Sequence, residues 1–174
     1  MKRAAIGPGL ALALLAAACG QSDEPAPEAS DAPALGAGRV PLQADEFPAL
    51  ASKDCAVVVE FYLESLGGRE WAQAALVWND PAIDAARLEA LFGGYREFQL
   101  AWTEPFVEGA AGSSFCTVTG KLTDAQDADK PGREGTLVLK RVNDVPGATP
   151  EQLRWTLQSS TFVENLARAG RAEP

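Results

Sequence analysis

The 174-residue chain contains no histidine. That excludes imidazole as a general acid or base, every Ser-His-Asp or Cys-His nucleophile arrangement, and metal sites built on histidine nitrogen. Proton transfer, if any, falls to carboxylates, Tyr, Lys, Arg or a thiol. Basic residues are scarce: 15 Lys and Arg stand against 24 Asp and Glu, for a net charge of −9. Once Lys2 and Arg3 are set aside, no block of clustered Lys or Arg remains. A chain without a basic patch cannot neutralise a phosphate backbone or settle electrostatically on anionic lipid, so no nucleic-acid partner is expected. The G-x-S-x-G, S-x-x-K and P-loop patterns are also missing, which leaves the usual hydrolase and nucleotide readings without support. Asp124, Asp127, Asp129 and Gly132 make a faint calcium-loop pattern. The place of its bidentate Glu holds Val138, so the stretch reads as a solvated hairpin loop. No metal and no cofactor is expected.

What is present begins with an address. Lys2 and Arg3 precede an apolar run over residues 6–18, interrupted by Gly7-Pro8-Gly9. The run is shorter than the ~20 residues that span a bilayer and has the layout of a secretory signal. It ends in Ala16-Ala17-Ala18-Cys19-Gly20, which resembles the lipobox of bacterial lipoproteins, with Ala16 where Leu is commonest. The resemblance implies cleavage before Cys19, diacylation of its thiol and acylation of the new amine. Several acyl chains, at about 0.8 kcal/mol per buried CH₂, anchor stably where one does not. Gly20 in place of Asp implies sorting to the outer membrane, facing the periplasm.

Residues 20–46, "GQSDEPAPEASDAPALGAGRVPLQADE", are rich in Pro, Ala and acids and have no aromatic residue. Such a segment cannot bury enough surface to offset its ordering entropy. It reads as a disordered tether of some 26 residues, spanning roughly 28 Å as a flexible coil. A partner-binding segment around Val40-Pro41-Leu42 is the alternative.

The domain is expected over residues 47–164, followed by a flexible tail over 165–174. Its first half has helical periodicity. Ser52 can cap a helix in "DCAVVVEFYLESLGG", with Cys55, Val58 or Val59, Tyr62 and Leu66 near one stripe and Gly67-Gly68 as the stop. Trp71, Ala74, Ala75 and Trp78 form an amphipathic face in "REWAQAALVWND". Asp80-Pro81 looks like the start of a third helix carrying Leu88, Leu91 and Phe92. The second half alternates with period two in "EFQLAWTEPF", "SFCTVTGKL", "GTLVLKRVN" and "LRWTLQSSTF", separated by Gly-, Asp- and Pro-rich clusters. Helices followed by strands predict an α+β domain with an antiparallel meander of four strands.

"VVEFYLESLGGREWAQAALVW", a further short helix and four strands resemble, in that order, the NTF2-like, SnoaL-like superfamily of cystatin-type fold. The resemblance covers about 110 residues. It implies N-terminal helices packed on a curved sheet, closed into a cone that often encloses a pocket. The superfamily holds isomerases, cyclases, dehydratases and many non-catalytic binding or dimerising domains, so fold does not supply function.

With Cys19 assigned to lipid, Cys55 and Cys116 form an even pair in an oxidising compartment and suggest a disulfide, two buried free thiols being the alternative. A carboxylate base with oxyanion donors would make an isomerase-like site, and the candidates are Tyr62, Tyr95, Asp84 and Glu60. None lies in a motif that matches the family's catalytic positions. Arg141 shares parity with Leu137 and Leu139 and either holds an anion on the sheet's inner face or snorkels from a strand end. Trp71, Trp78, Trp102 and Trp155 either line a pocket or pack a core. The candidate pocket is therefore Tyr62, Trp78, Tyr95, Trp102, Arg141 and Trp155. The sequence points to a membrane-anchored lipoprotein with a non-catalytic interaction module, partnered by a second copy through the sheet or by another envelope protein. A SnoaL-like enzyme or a carrier for a small hydrophobic molecule is the alternative.

Overall fold

The computed structural model describes residues 42–172. Cys19, the signal and the tether up to residue 41 lie outside the described residues. Order begins earlier than residue 47. Ala44–Glu46 and Pro48–Ala51 are short 3₁₀ turns, the first closed by a reciprocal cap between Gln43 and Glu46. Leu50 is buried against the core and anchors this entry.

Helix α1 spans Cys55–Gly67, with Asp54 as its N-cap accepting the Ala56 N–H at 2.9 Å. Ser52, the expected cap, accepts instead from the Asp54 N–H and orders the approach. Cys55, Val58, Val59, Tyr62 and Leu66 are buried as the stripe predicts. Helix α2 is only Trp71–Ala75, because the chain leaves helical geometry before Trp78. Trp78 makes an isolated parallel bridge to Leu157. Helix α3 is Ala85–Phe92, capped by Asp84 and not by Asp80. Asp80 instead closes the preceding turn, accepting the Ala82 N–H.

The sheet has five strands, β1 Phe98–Trp102, β2 Phe106–Ala110, β3 Ser113–Asp124, β4 Arg133–Val142 and β5 Thr156–Ser160. All pairings are antiparallel, in the order β1-β3-β4-β5, with β2 also paired to β3. The extra strand arises because β3, at 12 residues, is long enough for two short partners. Its second half pairs with β1 and its first half with β2. Pro105 lies between them, where it cannot donate to a ladder. Gly112, at φ +76°, makes the tight return into β3.

The expected boundary at residue 164 falls inside a helix. After Ser160 the period-two run becomes α4, Thr161–Ala172. Ser160 accepts the Val163 N–H at its start, and Phe162 and Val163 are buried. Helices α1, α2, α3 and α4 and the inner side of the sheet thus share one core, including Val118 and Leu122 of β3, Leu137 and Leu139 of β4 and Leu157 of β5. The α+β class and the helices packed on a curved antiparallel sheet stand as expected.

Candidate functional site

The interior is filled. Beneath the sheet, Tyr62, Leu66, Phe92, Leu122, Leu137 and Phe162 help to line a void of about 10 Å³. That is room for one water at most. Tyr62 and Trp78 meet here edge to face, with centroids 6.3 Å apart, and the Trp78 indole N–H donates to the Tyr62 hydroxyl at 3.3 Å. Burial pushes the Tyr62 pKa far up, and the Trp78 hydrogen bond offsets little of that. Neither candidate carboxylate reaches the pair. Glu60 is exposed, and Asp84 is exposed and occupied by the Arg87 N–H at 2.8 Å.

Tyr95 is buried elsewhere, edge-on to Phe98, with the Lys130 ammonium 3.8 Å from its ring centroid. Its hydroxyl makes no well-formed hydrogen bond, although the Arg133 guanidinium is near. Burial raises its pKa and Arg133 offsets part of the rise. Lys130 also donates to the Gly94 carbonyl at 2.8 Å and stands 3.6 Å from Asp124. Asp124, read from sequence as part of a solvated loop, has a side chain with 0% exposure. It accepts the backbone N–H groups of Arg96, Glu97 and Gln126. Burial alone would raise its pKa; the three N–H donors and Lys130 more than offset that and hold it below the usual carboxylate range. Asp124 therefore closes a corner of the fold.

Arg141 lines an open groove of about 710 Å³, whose walls include Lys53, Asp144, Glu151 and Arg154, and Trp155 is buried in the core behind it. The guanidinium is 5.9 Å from the Trp155 ring, and the indole N–H of Trp155 donates to the Lys53 carbonyl at 2.9 Å. Asp144 accepts from both Lys53 and Arg141, the latter at 2.6 Å. These bonds, with Lys53 first, lower the Asp144 pKa. Arg141 spends its Nε on the Leu153 carbonyl at 3.2 Å, so its charge is already answered within the chain. Sequence reasoning missed Lys53 and Asp144 because they are 91 residues apart and in no motif.

Trp102 belongs to a third place, a shallow groove of about 320 Å³ between α1 and β1. Leu63, Phe98, Leu100 and Trp102 make it apolar, and Glu60 and Glu64 also line it. The six candidate pocket residues are thus divided: Tyr62, Trp78 and Trp155 belong to the filled core, Tyr95 to a buried corner, and Arg141 and Trp102 to two separate surface grooves. Cys55 and Cys116 form a disulfide that joins the start of α1 to the first half of β3. Among the described residues no group of acids or thiols is arranged to hold a metal ion.

No protein-family profile and no curated protein matches the sequence. Among solved structures, the chain is similar to a protein of the NTF2-like family from Streptomyces avermitilis described as a candidate dehydratase. It is 13% identical, over 65% of this chain and 94% of that one, with a TM-score of 0.43. It is also similar to a protein from Thiobacillus denitrificans described as a candidate association domain of calcium/calmodulin-dependent protein kinase type II. That match is 14% identical over 60% of this chain and 90% of that one, with a TM-score of 0.43.

Proposed function

We propose that this protein is a lipid-anchored component of the bacterial envelope whose NTF2-like domain binds a partner and does not turn over a substrate. The observation that carries the reading is the void of about 10 Å³ where an enzyme or carrier built on a helix-and-sheet cone would hold its ligand. Side chains of α1, α3, α4 and the sheet fill that space, and the Tyr62 hydroxyl there is engaged with Trp78 and has no carboxylate beside it. The NTF2-like assignment is supported by the order of elements, three helices followed by an antiparallel sheet. The anchor is supported by Ala16-Ala17-Ala18-Cys19-Gly20 and the acidic, proline-rich stretch after it. A carrier or enzyme would need a cavity of several hundred Å³ to enclose a small molecule.

Two measurements test this. Expression with an alkynyl fatty acid should label the wild-type chain and place it in the membrane fraction. Cys19→Ser should abolish both; a membrane-bound, unlabelled wild-type chain would overturn the anchor. Native mass spectrometry of the Cys19→Ser chain should give the bare polypeptide mass. A stoichiometric adduct lost on denaturation would overturn the filled-core reading. The same spectrum counts subunits, and so separates a self-partnered domain from one that awaits another envelope protein.

A further inference from the structure

Strand β1 lies at the end of the strand order and, among the described residues, pairs with β3 alone. The Thr103 N–H donates to the Thr119 carbonyl, and the Ala125 N–H donates to the Glu97 carbonyl, each at 2.9 Å. The odd-numbered residues therefore turn their backbone groups toward β3. By the alternation of an antiparallel ladder, Phe98, Leu100 and Trp102 turn theirs to the free edge. The side chains of the same three residues line the groove beside α1. One side of that groove is apolar, with Leu63 of α1 facing the three strand residues. Glu60 and Glu64 stand one helical turn apart over it, and neither has an ion-pair partner among the described residues. No lining residue is cationic.

We propose that this edge is a docking site for an extended segment of another protein, one that alternates apolar residues with a Lys or Arg. The main chain of such a segment would extend the sheet by pairing with Phe98, Leu100 and Trp102. Its apolar side chains would enter the groove, and its cation would meet Glu60 and Glu64. Charge decides against the other occupants. The tether ahead of the described residues, 20–41, carries four acids and only Arg39 as a base. A second copy's β1 is flanked by Glu97 and Glu104 and has no base within it. Either would bring like charge to the groove.

The proposal rests on the reading of the domain as an interaction module, and the two can fail separately. A tightly held small molecule in the native spectrum removes that reading whatever a peptide does. A bare chain whose β1 ignores the peptide removes the docking site alone.

The test is a titration of the isotopically labelled Cys19→Ser chain with the synthetic peptide acetyl-Thr-Leu-Thr-Lys-Thr-Leu-Thr-amide, which places both Leu and the Lys on one face as a strand. Saturable changes should centre on the amides of Phe98, Leu100 and Trp102. Exchanging the exposed pair, Glu60→Lys with Glu64→Lys, should weaken binding by about tenfold and transfer the preference to a peptide with Glu in place of Lys. An unchanged melting temperature certifies that this variant is folded. No change at β1 up to millimolar peptide, equal binding of the Lys and Glu peptides, or concentration-dependent changes at those amides without peptide would each overturn the proposal.

Discussion

The ring of Phe162 lies so close over Gly135 that a Cβ at that position would stand 2.8 Å from it. Glycine is required there by the neighbour, since α4 enters the core across the start of β4. Gly135→Ala should cost about 1–3 kcal/mol, the usual penalty for overpacking a filled site. Chemical denaturation will show it as a lower midpoint at unchanged slope. Phe162→Leu, added to Gly135→Ala, should recover part of the loss.

The Cys55–Cys116 disulfide, at a separation of 61 residues, should contribute about 4 kcal/mol on the chain-entropy account. Both cysteines are buried, so reductant alone should act slowly on the native chain. Urea unfolding of the oxidised chain, and of chain first reduced in denaturant, will measure the difference.

Tyr62→Phe removes the acceptor of the Trp78 indole N–H from a mostly buried pair. The loss should be about 1 kcal/mol, that of one hydrogen bond. A thermal melt compared with wild type checks it, and a much larger loss would point to further work for that hydroxyl.

The folded-state pKa of Asp124 is depressed, so the folded chain binds fewer protons than the unfolded one as pH falls toward the ordinary Asp value of about 3.9. Its contribution to stability is complete above that value and is lost as pH falls through the lower, folded one. Asp144 and Glu151 act in the same direction. Asp124→Asn should therefore lower the melting temperature at pH 6 and flatten its fall between pH 4 and pH 2. An unaltered acid profile would show that the carboxylate is not held as described.

Local signals gave the helices and most strands, because Gly67, Gly93 and the period of the apolar residues act over a few positions. The caps moved by two to four residues where two acceptors compete: Ser52 with Asp54, and Asp80 with Asp84. Strand β2 is not legible as a separate strand, its Phe106 closing the run "EFQLAWTEPF" and its Glu108 opening a Gly-rich separator, because it is exposed along its whole length and has no buried alternation to reveal it, Phe106 being 65% exposed. Helix α4 was hidden because "LRWTLQSSTF" joins a strand to a helix start without a break. The disulfide was legible from the even pair that Cys55 and Cys116 make once Cys19 is set aside. The role of Asp124 was not, since its partners, Arg96 and Glu97, are 28 and 27 residues away and are backbone groups, which carry no side-chain signature. The scatter of the six pocket candidates has the same origin. A sequence gives parity toward a core but not whether that core closes over empty space.

The covalent bond between the first residue of α1 and the first half of β3 makes a closed ring of everything between them: three helices, β1 and the exposed β2. A protease that nicked the chain once anywhere in that ring would release no fragment. The cut chain would keep its mass but for one water, run as a single band without reductant, and divide into two only when the disulfide is reduced.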